Sequence, residues 1–400
     1  MVNNSQPTVA LIYDRANTPY GGAENVLLAL HQAFPKAPLY TSFASPHHAP
    51  WLKKFTKVYT SNWNKISPLR AKHRWLAMLM PLIFENFDLS TYDIIVSITS
   101  AEAKGIITYP KQLHICYLLT PSRYLYQDKQ HSLDSHWLPR LPLMRQLAKV
   151  LLNYLTWWDQ AAIFRPDVII PISQRVAERA KKFYSTIKLE PVIYPPVNHK
   201  QLTNRNPIDK PMFGITNYLL IISRLVSHKK IELAIEACGQ LNKNLIVVGC
   251  GPMKNSLVRL ARRHKNTILF FKSASQTQLI NLYQHCQALL MPGKEDFGIV
   301  ALEANYFGKP VIINAKSGAA ELIKPGIHGV HVQNETVKAT ITAIKQLTNF
   351  KFSATKIKRN PLQYDTDIFI KKFIKVVDQH WQLVLKTNKI NSKIKRINND

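Results

Sequence analysis

Short apolar runs alternate with amphipathic segments along most of the chain. The run 8–13 (Thr-Val-Ala-Leu-Ile-Tyr) is followed by a Gly-Gly pair and then by a helical pattern over 23–32. Continuous apolar strands separated by helices are typical of a parallel sheet that is covered on both faces. The same alternation predicts further strands at 38–43, 93–97, 113–118, 167–171, 218–223, 244–248, 267–271, 288–291 and 310–313.

One polar interval divides this pattern into two halves. Residues 199–216 are polar and carry two prolines, which predicts a linker between two α/β domains with doubly wound parallel sheets. The N-terminal domain is then expected over 1–198 and the second over 217–364. An amphipathic C-terminal helix is predicted over 365–386, and a basic, disordered tail over 387–400.

Composition adds an expectation about partners and location. The chain has 400 residues, enough for two domains, and a formal net charge of +29, which favours an anionic partner such as nucleic acid, acidic lipid or a phosphorylated substrate. The start has no signal-peptide pattern, and no apolar run approaches the roughly 18 residues of a membrane span. The four cysteines lack CxxC spacing, so we expect a reducing cytoplasm and no cysteine metal site.

Two acidic residues eight positions apart are the strongest candidates for binding a ligand. Glu295 is expected on a loop after the strand 288–291, and Glu303 on the helix that follows. Eight helical residues rise about 12 Å, whereas the carboxyl groups of a glycosidase pair lie about 5 to 9.5 Å apart. We therefore expect the two acids to serve separate parts of one elongated ligand.

Cations follow the first strand of the second domain. Arg224 and Lys229 come directly after the strand 218–223, where ligands of α/β sheets bind. Arginine can contact two phosphate oxygens at once and lysine acts as a point charge, so the pair suits a diphosphate. In a chain of this charge, an ordinary solvated basic loop is the alternative.

Glycines occupy two strand-to-helix turns. Gly21 and Gly22 follow the first strand, and Gly249 and Gly251 follow the strand 244–248. Glycines there let backbone N–H groups approach an anion at a helix N-terminus, but an ordinary tight turn needs them equally. The second turn lacks the third glycine of a dinucleotide fingerprint, which argues against a nicotinamide site.

Other candidates have a structural interpretation beside the functional one. Asp365 and Asp367 have a spacing found in metal–nucleotide sites, but a helix cap is favoured. His114 lies in an apolar strand, where a core histidine is commoner than a catalyst. The segments 70–84 and 137–158 mix aromatic, apolar and basic residues, which suits either an anionic lipid surface or a core-facing helix.

Taken together, these residues resemble the family 4 retaining glycosyltransferases over roughly 8–350. More narrowly, 92–105, 114–124 and 192–197 are similar to the mannosyltransferase-like branch of O-antigen and polysaccharide biosynthesis. The matching segments are Gly21-Gly-Ala-Glu, Arg224-Leu-Val-x-x-Lys, Val248-Gly-x-Gly-Pro, Glu295-Asp-Phe-Gly-Ile-Val-x-x-Glu and Ser317-Gly-Ala-Ala-Glu.

The resemblance implies a fold and a division of roles. The fold would be GT-B, two facing Rossmann-like domains, with the C-terminal helix packing back on the N-terminal domain. Arg224 and Lys229 would hold the donor diphosphate, Glu295 the transferred sugar and Glu303 the ribose. No metal or other cofactor is expected, because the two cations supply the charge stabilisation. The resemblance further assigns Phe297, Gly298, Ile299, Val300, Gly21, Gly22, Gly249 and Gly251 to donor binding, and His114, Thr120 and Arg123 to a sugar or acceptor side.

One position departs from the branch. A histidine usual before the Thr-Pro pair is Leu119 here. From the resemblance as a whole we expect a cytoplasmic, peripheral membrane hexosyltransferase that most simply moves mannose from GDP-mannose to a lipid-linked glycan. Because of Leu119, the alternative is a catalytically impaired binding or membrane-associated subunit. Nucleic acid is not an expected partner, since neither an aromatic-basic sheet signature nor zinc-ligand spacing is found.

Overall fold

The computed structural model describes residues 7–19, 21–65, 79–127, 142–203, 210–265 and 267–397. The chain divides into two compact units. Unit 1 comprises Met1–Tyr194 and Phe369–Asp400, and unit 2 comprises Pro195–Ile368. The predicted linker 199–216 falls within unit 2, and its residues 204–209 lie outside the described residues.

Unit 1 is built on a parallel sheet that has six strands among the described residues, in the order β3-β2-β1-β4-β5-β6. The strands are β1 (Val9–Tyr13), β2 (Leu39–Thr41), β3 (Val58–Thr60), β4 (Ile94–Thr99), β5 (Leu113–Leu118) and β6 (Val168–Pro171). The helices are α1 (Gly22–Ala33), α2 (Met80–Glu85), α3 (Arg123–Tyr126), α4 (Pro142–Ala162) and α5 (Gln174–Phe183).

Unit 2 repeats this plan, with six strands in its described part in the order β12-β11-β10-β7-β8-β9. The strands are β7 (Tyr218–Ile222), β8 (Leu245–Val248), β9 (Ile268–Phe271), β10 (Cys286–Met291), β11 (Val311–Asn314) and β12 (Gly329–Val332). The helices are α6 (His199–Leu202), α7 (Ile231–Gln240), α8 (Lys254–Ala261), α9 (Gln276–His285), α10 (Ile299–Tyr306), α11 (Val337–Asn349), α12 (Ala354–Arg359) and α13 (Thr366–Ile397), which continues into unit 1.

Both sheets have the doubly wound order, which confirms the predicted fold class. In each unit the first three strands extend the sheet in one direction and the last three in the other. The direction reverses between β1 and β4 in unit 1, and between β7 and β10 in unit 2. Ligands of such sheets bind outside the carboxyl ends of the strands at these reversal points.

The apolar strands are buried because each sheet is covered on both faces. In β7, Leu219 and Ile221 pack into one cluster of buried residues while Leu220 packs into another. Successive side chains of a strand point to opposite faces, so one short apolar run contributes to two cores. This requirement explains why the central strands carry no polar alternation.

The C-terminal helix packs within unit 1, as predicted. Phe369 and Phe373 of α13 are buried, and their rings contact Tyr117 of β5 edge to face at centroid distances of 5.7 and 6.0 Å. Asp365 accepts a hydrogen bond from the backbone N–H of Asp367 at 3.0 Å, which is the predicted capping role. The helix continues to Ile397, through most of the segment predicted as a disordered tail.

The sequence patterns did not predict the edge strands β3 and β12. β3 has three residues and β12 has four, beginning with Gly329. A Cβ on Gly329 would lie 2.0 Å from the carbonyl oxygen of Val311, so this strand requires glycine for its close approach to β11. In the described part of the chain, no helix combines the length and apolarity needed to cross a membrane.

Candidate functional site

The reversal point of unit 2 brings together the two predicted chemical segments. β7 and β10 are neighbouring parallel strands, so their carboxyl ends meet at one edge of the sheet. Arg224 and Lys229 lie in the connection after β7, and Glu295 lies in the connection after β10. The segments are far apart in sequence, and the sheet topology alone places them side by side.

Lys229 and Glu295 form an ion pair at this edge. The ammonium group contacts the Glu295 carboxylate, and Lys229 is 8% exposed. Gly293 makes the approach possible, because a Cβ there would lie 2.5 Å from the Lys229 Cα. A cation and a carboxylate are therefore held together in one partly buried position.

The loop that carries Glu295 is anchored by the segment after β11. The Glu295 N–H donates to the Ser317 hydroxyl at 3.0 Å, and the Gly318 N–H donates to the Glu295 carbonyl oxygen at 2.8 Å. Ser317 is buried and donates in turn to the carbonyl oxygen of Gly293 at 3.2 Å. These bonds give the Ser-Gly-Ala-Ala-Glu segment a physical role, since it fixes the loop on both sides of Glu295.

Helix α10 begins one turn after Glu295. Gly298 precedes it with φ of 80°, a left-handed conformation that favours glycine, and a Cβ there would lie 2.7 Å from the Met291 side chain. Phe297 is buried, which holds the turn against the unit. The first N–H groups of a helix lack intrahelical acceptors, so Ile299 and Val300 present a backbone suited to an anion.

Glu303 lies within α10 and has a partner that sequence reasoning missed. The Tyr283 hydroxyl donates to the Glu303 carboxylate at 2.7 Å, and the buried Tyr283 ring stacks on Phe307 at 5.5 Å. Burial raises the pKa of Glu303, while the hydrogen bond from Tyr283 opposes the rise. Since Tyr283 is on α9, twenty residues earlier, only the tertiary structure reveals the pairing.

Arg224 is the most accessible of the predicted site residues in this loop. It is exposed, and no carboxylate within the described ranges pairs with it. The turn after β8 lies close behind this loop: Cβ atoms on Gly249 and Gly251 would lie 1.8 Å and 2.4 Å from the carbonyl oxygens of Ser223 and Leu225. This close packing alone explains why both residues are glycine, whether or not a ligand binds. Their donor-binding role stays a prediction.

The glycine pair of unit 1 begins helix α1. Gly21 is the N-cap and Gly22 the first helical residue. The Glu24 side chain is buried and accepts hydrogen bonds from the Tyr13 hydroxyl at 2.8 Å and the Thr18 hydroxyl at 2.9 Å. The loop between β1 and α1 is thus closed by a buried carboxylate.

The three predicted residues on the acceptor side do not lie together. Thr120 and Arg123 follow the carboxyl end of β5, the edge where ligands bind. His114 lies near the opposite end of that strand, about 13 Å away at 3.3 Å per residue. It has no exposed surface, its Nε2 contacts the Ser97 hydroxyl at 2.9 Å, and burial lowers its pKa to about 3. This placement argues for a neutral core histidine and against the acceptor role expected for it.

A buried polar network at the carboxyl edge of unit 1 was not predicted. Asp14, directly after β1, accepts bonds from the Thr99 hydroxyl at 2.7 Å and the Ser100 N–H at 2.7 Å. Arg15 pairs with Glu102 at 2.7 Å, and Tyr124 donates to the same carboxylate at 2.8 Å. These contacts join the loops after β1, β4 and β5 at the reversal point.

A second buried pair supports the same loops. Lys104 and Asp159 contact each other at 2.5 Å, both almost without exposed surface. Asp159 also accepts bonds from the hydroxyls of Ser122, Tyr126 and Tyr184 at 3.1, 3.0 and 2.6 Å. Asp159 is the single acidic residue of α4. A charged side chain in this largely apolar part of the helix was the sequence signal that could have revealed the buried pair.

Comparison with known proteins agrees with this architecture. Residues 206–361 match the family model described as Glycosyl transferases group 1. An uncharacterized glycosyltransferase of Methanocaldococcus jannaschii is 33% identical over 123 residues, 28% of this chain and 31% of that protein. A GDP-mannose-dependent monoacylated alpha-(1-6)-phosphatidylinositol monomannoside mannosyltransferase of Corynebacterium glutamicum is 29% identical over 179 residues, 40% of this chain and 47% of that protein. The chain thus spans from about a third to about half of the length of these relatives.

Solved structures extend the likeness of fold to both units. Anabaena HepE, crystallised with UDP-glucose, superposes with a TM-score of 0.65 at 17% identity, covering 93% of this chain and all of HepE. The predicted GT-B fold is thereby confirmed, whereas the mannosyltransferase branch stays a prediction. Residues 206–361 are thus similar to the Glycosyl transferases group 1 family, within a chain that has the GT-B fold.

Proposed function

We propose that the protein is an enzyme that transfers a hexose from a nucleotide sugar to a glycan or lipid-linked acceptor with retention of configuration. The observation that carries the proposal is the ion pair between Lys229 and Glu295 at the reversal point of unit 2. The lysine suits the diphosphate and the carboxylate suits the sugar hydroxyls, the groups on either side of the bond that breaks.

The residues around the pair fit the remaining parts of such a donor. Glu303, oriented by Tyr283, would accept hydrogen bonds from the ribose hydroxyls, and the N-terminus of α10 would lie near the phosphates. Arg224 and Lys229 would stabilise the charge that develops on the departing diphosphate, so the proposal requires no metal. The acceptor hydroxyl would attack from the face that the diphosphate leaves, and its proton would pass to the diphosphate.

The finer form of the proposal names GDP-mannose as the donor. It is supported by the branch resemblance and by the Corynebacterium relative, whose name states GDP-mannose dependence. HepE was crystallised with UDP-glucose, so a donor panel should contain both nucleotides. The protein would work in the cytoplasm at the inner face of a membrane, since a lipid-linked acceptor is held there and the free thiols of Cys116, Cys238, Cys250 and Cys286 suit a reducing compartment.

One observation favours a second candidate, a catalytically impaired subunit that binds a partner or a membrane. Leu119 is 9% exposed at the carboxyl end of β5, where the branch usually has histidine. His114 lies at the other end of that strand and is too distant to replace it. A subunit of this kind would keep the donor-binding loops and lack turnover.

A turnover assay distinguishes an enzyme from a subunit that binds the donor without catalysing a reaction. Purified protein is incubated with GDP-mannose, UDP-glucose and related donors in the presence of a membrane lipid extract. We expect one donor to be consumed and Glu295→Gln to reduce the rate at least about a hundredfold, since a charged contact made at the reacting sugar is lost. If neither the variant nor the wild type consumes any donor, the enzyme proposal is refuted, whereas equal measurable rates would refute the role given to Glu295.

Donor binding is measured independently by calorimetry. A nucleoside diphosphate should bind, and Arg224→Ala should weaken binding about ten- to a hundredfold through the loss of charge-assisted hydrogen bonds. Lys345→Ala, at an exposed position of α11, is the matched control. Binding without turnover on any donor would favour the impaired subunit.

A further inference from the structure

Helix α4 exposes an apolar stripe. Of its side chains that the structure describes, Leu147, Val150, Tyr154 and Trp157 are 50, 62, 39 and 67% exposed. They are spaced by three, four and three residues, so at about 100° per residue they fall within an arc of about 80°. Large apolar side chains in a continuous row are unusual on a surface that only water covers.

The stripe cannot turn into the core, because another face of α4 is anchored there. Leu155 and Trp158 are buried, and the Trp158 Nε1–H donates to Glu85 at 2.8 Å. A Cβ on Gly105 would lie 2.3 Å from the Trp158 ring, so this ring packs directly on the backbone. The buried Asp159 fixes the same face through its pair with Lys104.

The polar side of α4 is basic. At about 100° per residue, the exposed Lys149 and Arg145 lie about 80° and about 120° from the nearer edge of the stripe. The helix contains a single acidic residue, Asp159, which is 1% exposed. A helix with cations on its polar side and an apolar stripe that includes Tyr and Trp matches the interface of a bilayer with anionic lipids. Of the two segments for which a lipid contact was considered, residues 70–78 and 137–141 lie outside the described residues.

We propose that the stripe Leu147–Val150–Tyr154–Trp157 inserts into the headgroup region of an anionic bilayer, with the nearer cation, Lys149, reaching the phosphates along its flexible stem. A second copy of the chain fits less well, because two molecules of charge +29 repel each other. The choice of a lipid surface rests in part on the proposed function, since a lipid-linked acceptor would be presented at such a surface. The inference adds to that function because it identifies the face of the protein that would contact the membrane.

The test is co-sedimentation of the full chain with phosphatidylglycerol–phosphatidylcholine vesicles and with phosphatidylcholine vesicles. We expect the wild type to bind the anionic vesicles, with binding weakened by salt. The double variant Val150→Gln/Trp157→Gln should bind at least about tenfold more weakly, because two inserted apolar side chains are lost. Leu383→Gln, at an apolar position of α13 that is 56% exposed, should bind like the wild type.

Three outcomes would overturn the inference: no binding by the wild type, equal binding by the double variant, or a dimer in light scattering that the double variant abolishes. Calorimetry with a nucleoside diphosphate is run on the same proteins. Unchanged nucleotide binding with absent vesicle binding would refute only the docking face. Vesicle binding by a chain that binds no nucleotide would instead refute the proposed function.

Discussion

At the scale of single residues, Glu303 depends on a tyrosine from another helix. We expect Tyr283→Phe to raise the donor KM about tenfold with little change in kcat, because the carboxylate loses the 2.7 Å hydrogen bond that orients it. That bond also lowers the pKa of Glu303, so its removal moves the pKa further up. The acid limb of kcat/KM should therefore shift to higher pH in the variant.

The matched control for this variant is Tyr218→Phe. The Tyr218 hydroxyl is also buried and donates to the carbonyl oxygen of Leu282 at 2.9 Å, with no contact to Glu303. Both variants lose one buried hydrogen bond and should lose similar thermal stability. A pH limb that moves equally in both, or in neither, would show that Tyr283 has only a structural role.

The buried His114 leads to a second prediction at this scale, which concerns the stability of the protein and not its activity. Its pKa is about 3 in the folded chain, lowered by burial and by the charge of Arg165, against an ordinary value of 6.5. The unfolded chain therefore takes up a proton first as the pH falls, so this contribution to stability is complete above pH 6.5 and is lost progressively toward pH 3.

The measurement compares denaturant unfolding at pH 8 and pH 5 for the wild type and His114→Gln, which keeps a polar partner for Ser97. The wild type should lose about 2 kcal/mol more than the variant over this interval, at about 1.4 kcal/mol per pH unit below 6.5. Equal losses would mean that His114 takes up a proton in the folded state. That result would reopen the acceptor role that its burial argues against.

At the scale of elements, the turn into α1 offers a test of ligand approach. A Cβ on Gly22 meets no described atom within 4 Å, and alanine is favoured over glycine within a helix by about 0.5–1 kcal/mol. Gly22→Ala should therefore leave the melting temperature unchanged or slightly raised. If substrate approaches this backbone closely, the KM of donor or acceptor should rise while stability does not fall. Unchanged KM values for both substrates would show that Gly22 is an ordinary turn residue.

The elements also show where sequence reasoning succeeds. Ten strands were predicted because each is a short run rich in apolar residues, and that pattern directly reflects burial on both faces. β3 and β12 were missed because neither contains an apolar run like those of the other two edge strands, β6 and β9. In β12, Gly329 has little strand propensity and pairs with Val311 across the sheet. The sequence predicted Lys229 and Glu295 as parts of one site, but their contact is seen only once the structure places β7 beside β10. Tyr283–Glu303 and Lys104–Asp159 join side chains whose proximity no spacing in the sequence reveals.

At the scale of the whole molecule, the chain returns from unit 2 to unit 1 through α13. Phe369, Phe373 and Val377 are spaced by four residues and are 2, 0 and 3% exposed, so this helix contributes an apolar row to unit 1. The sequence predicted the helix from that same row. It could not show that Tyr117 of β5 is the surface that receives it, since the two are more than 250 positions apart.

This return contact can be measured on its own, because all seven tryptophans fall within the residue ranges of unit 1. Tryptophan fluorescence therefore follows the unfolding of unit 1, and nucleoside diphosphate binding follows unit 2. Phe373→Ala should lower the free energy of unfolding seen by fluorescence by about 3–5 kcal/mol, the usual cost of deleting a buried ring. Leu383→Ala, at a position that is 56% exposed, should change it by less than about 0.5 kcal/mol. If the fluorescence transition of Phe373→Ala moves while its nucleotide binding stays at the wild-type level, the helix stabilises unit 1 alone. If nucleotide binding is lost in parallel with the fluorescence signal, the helix stabilises both units.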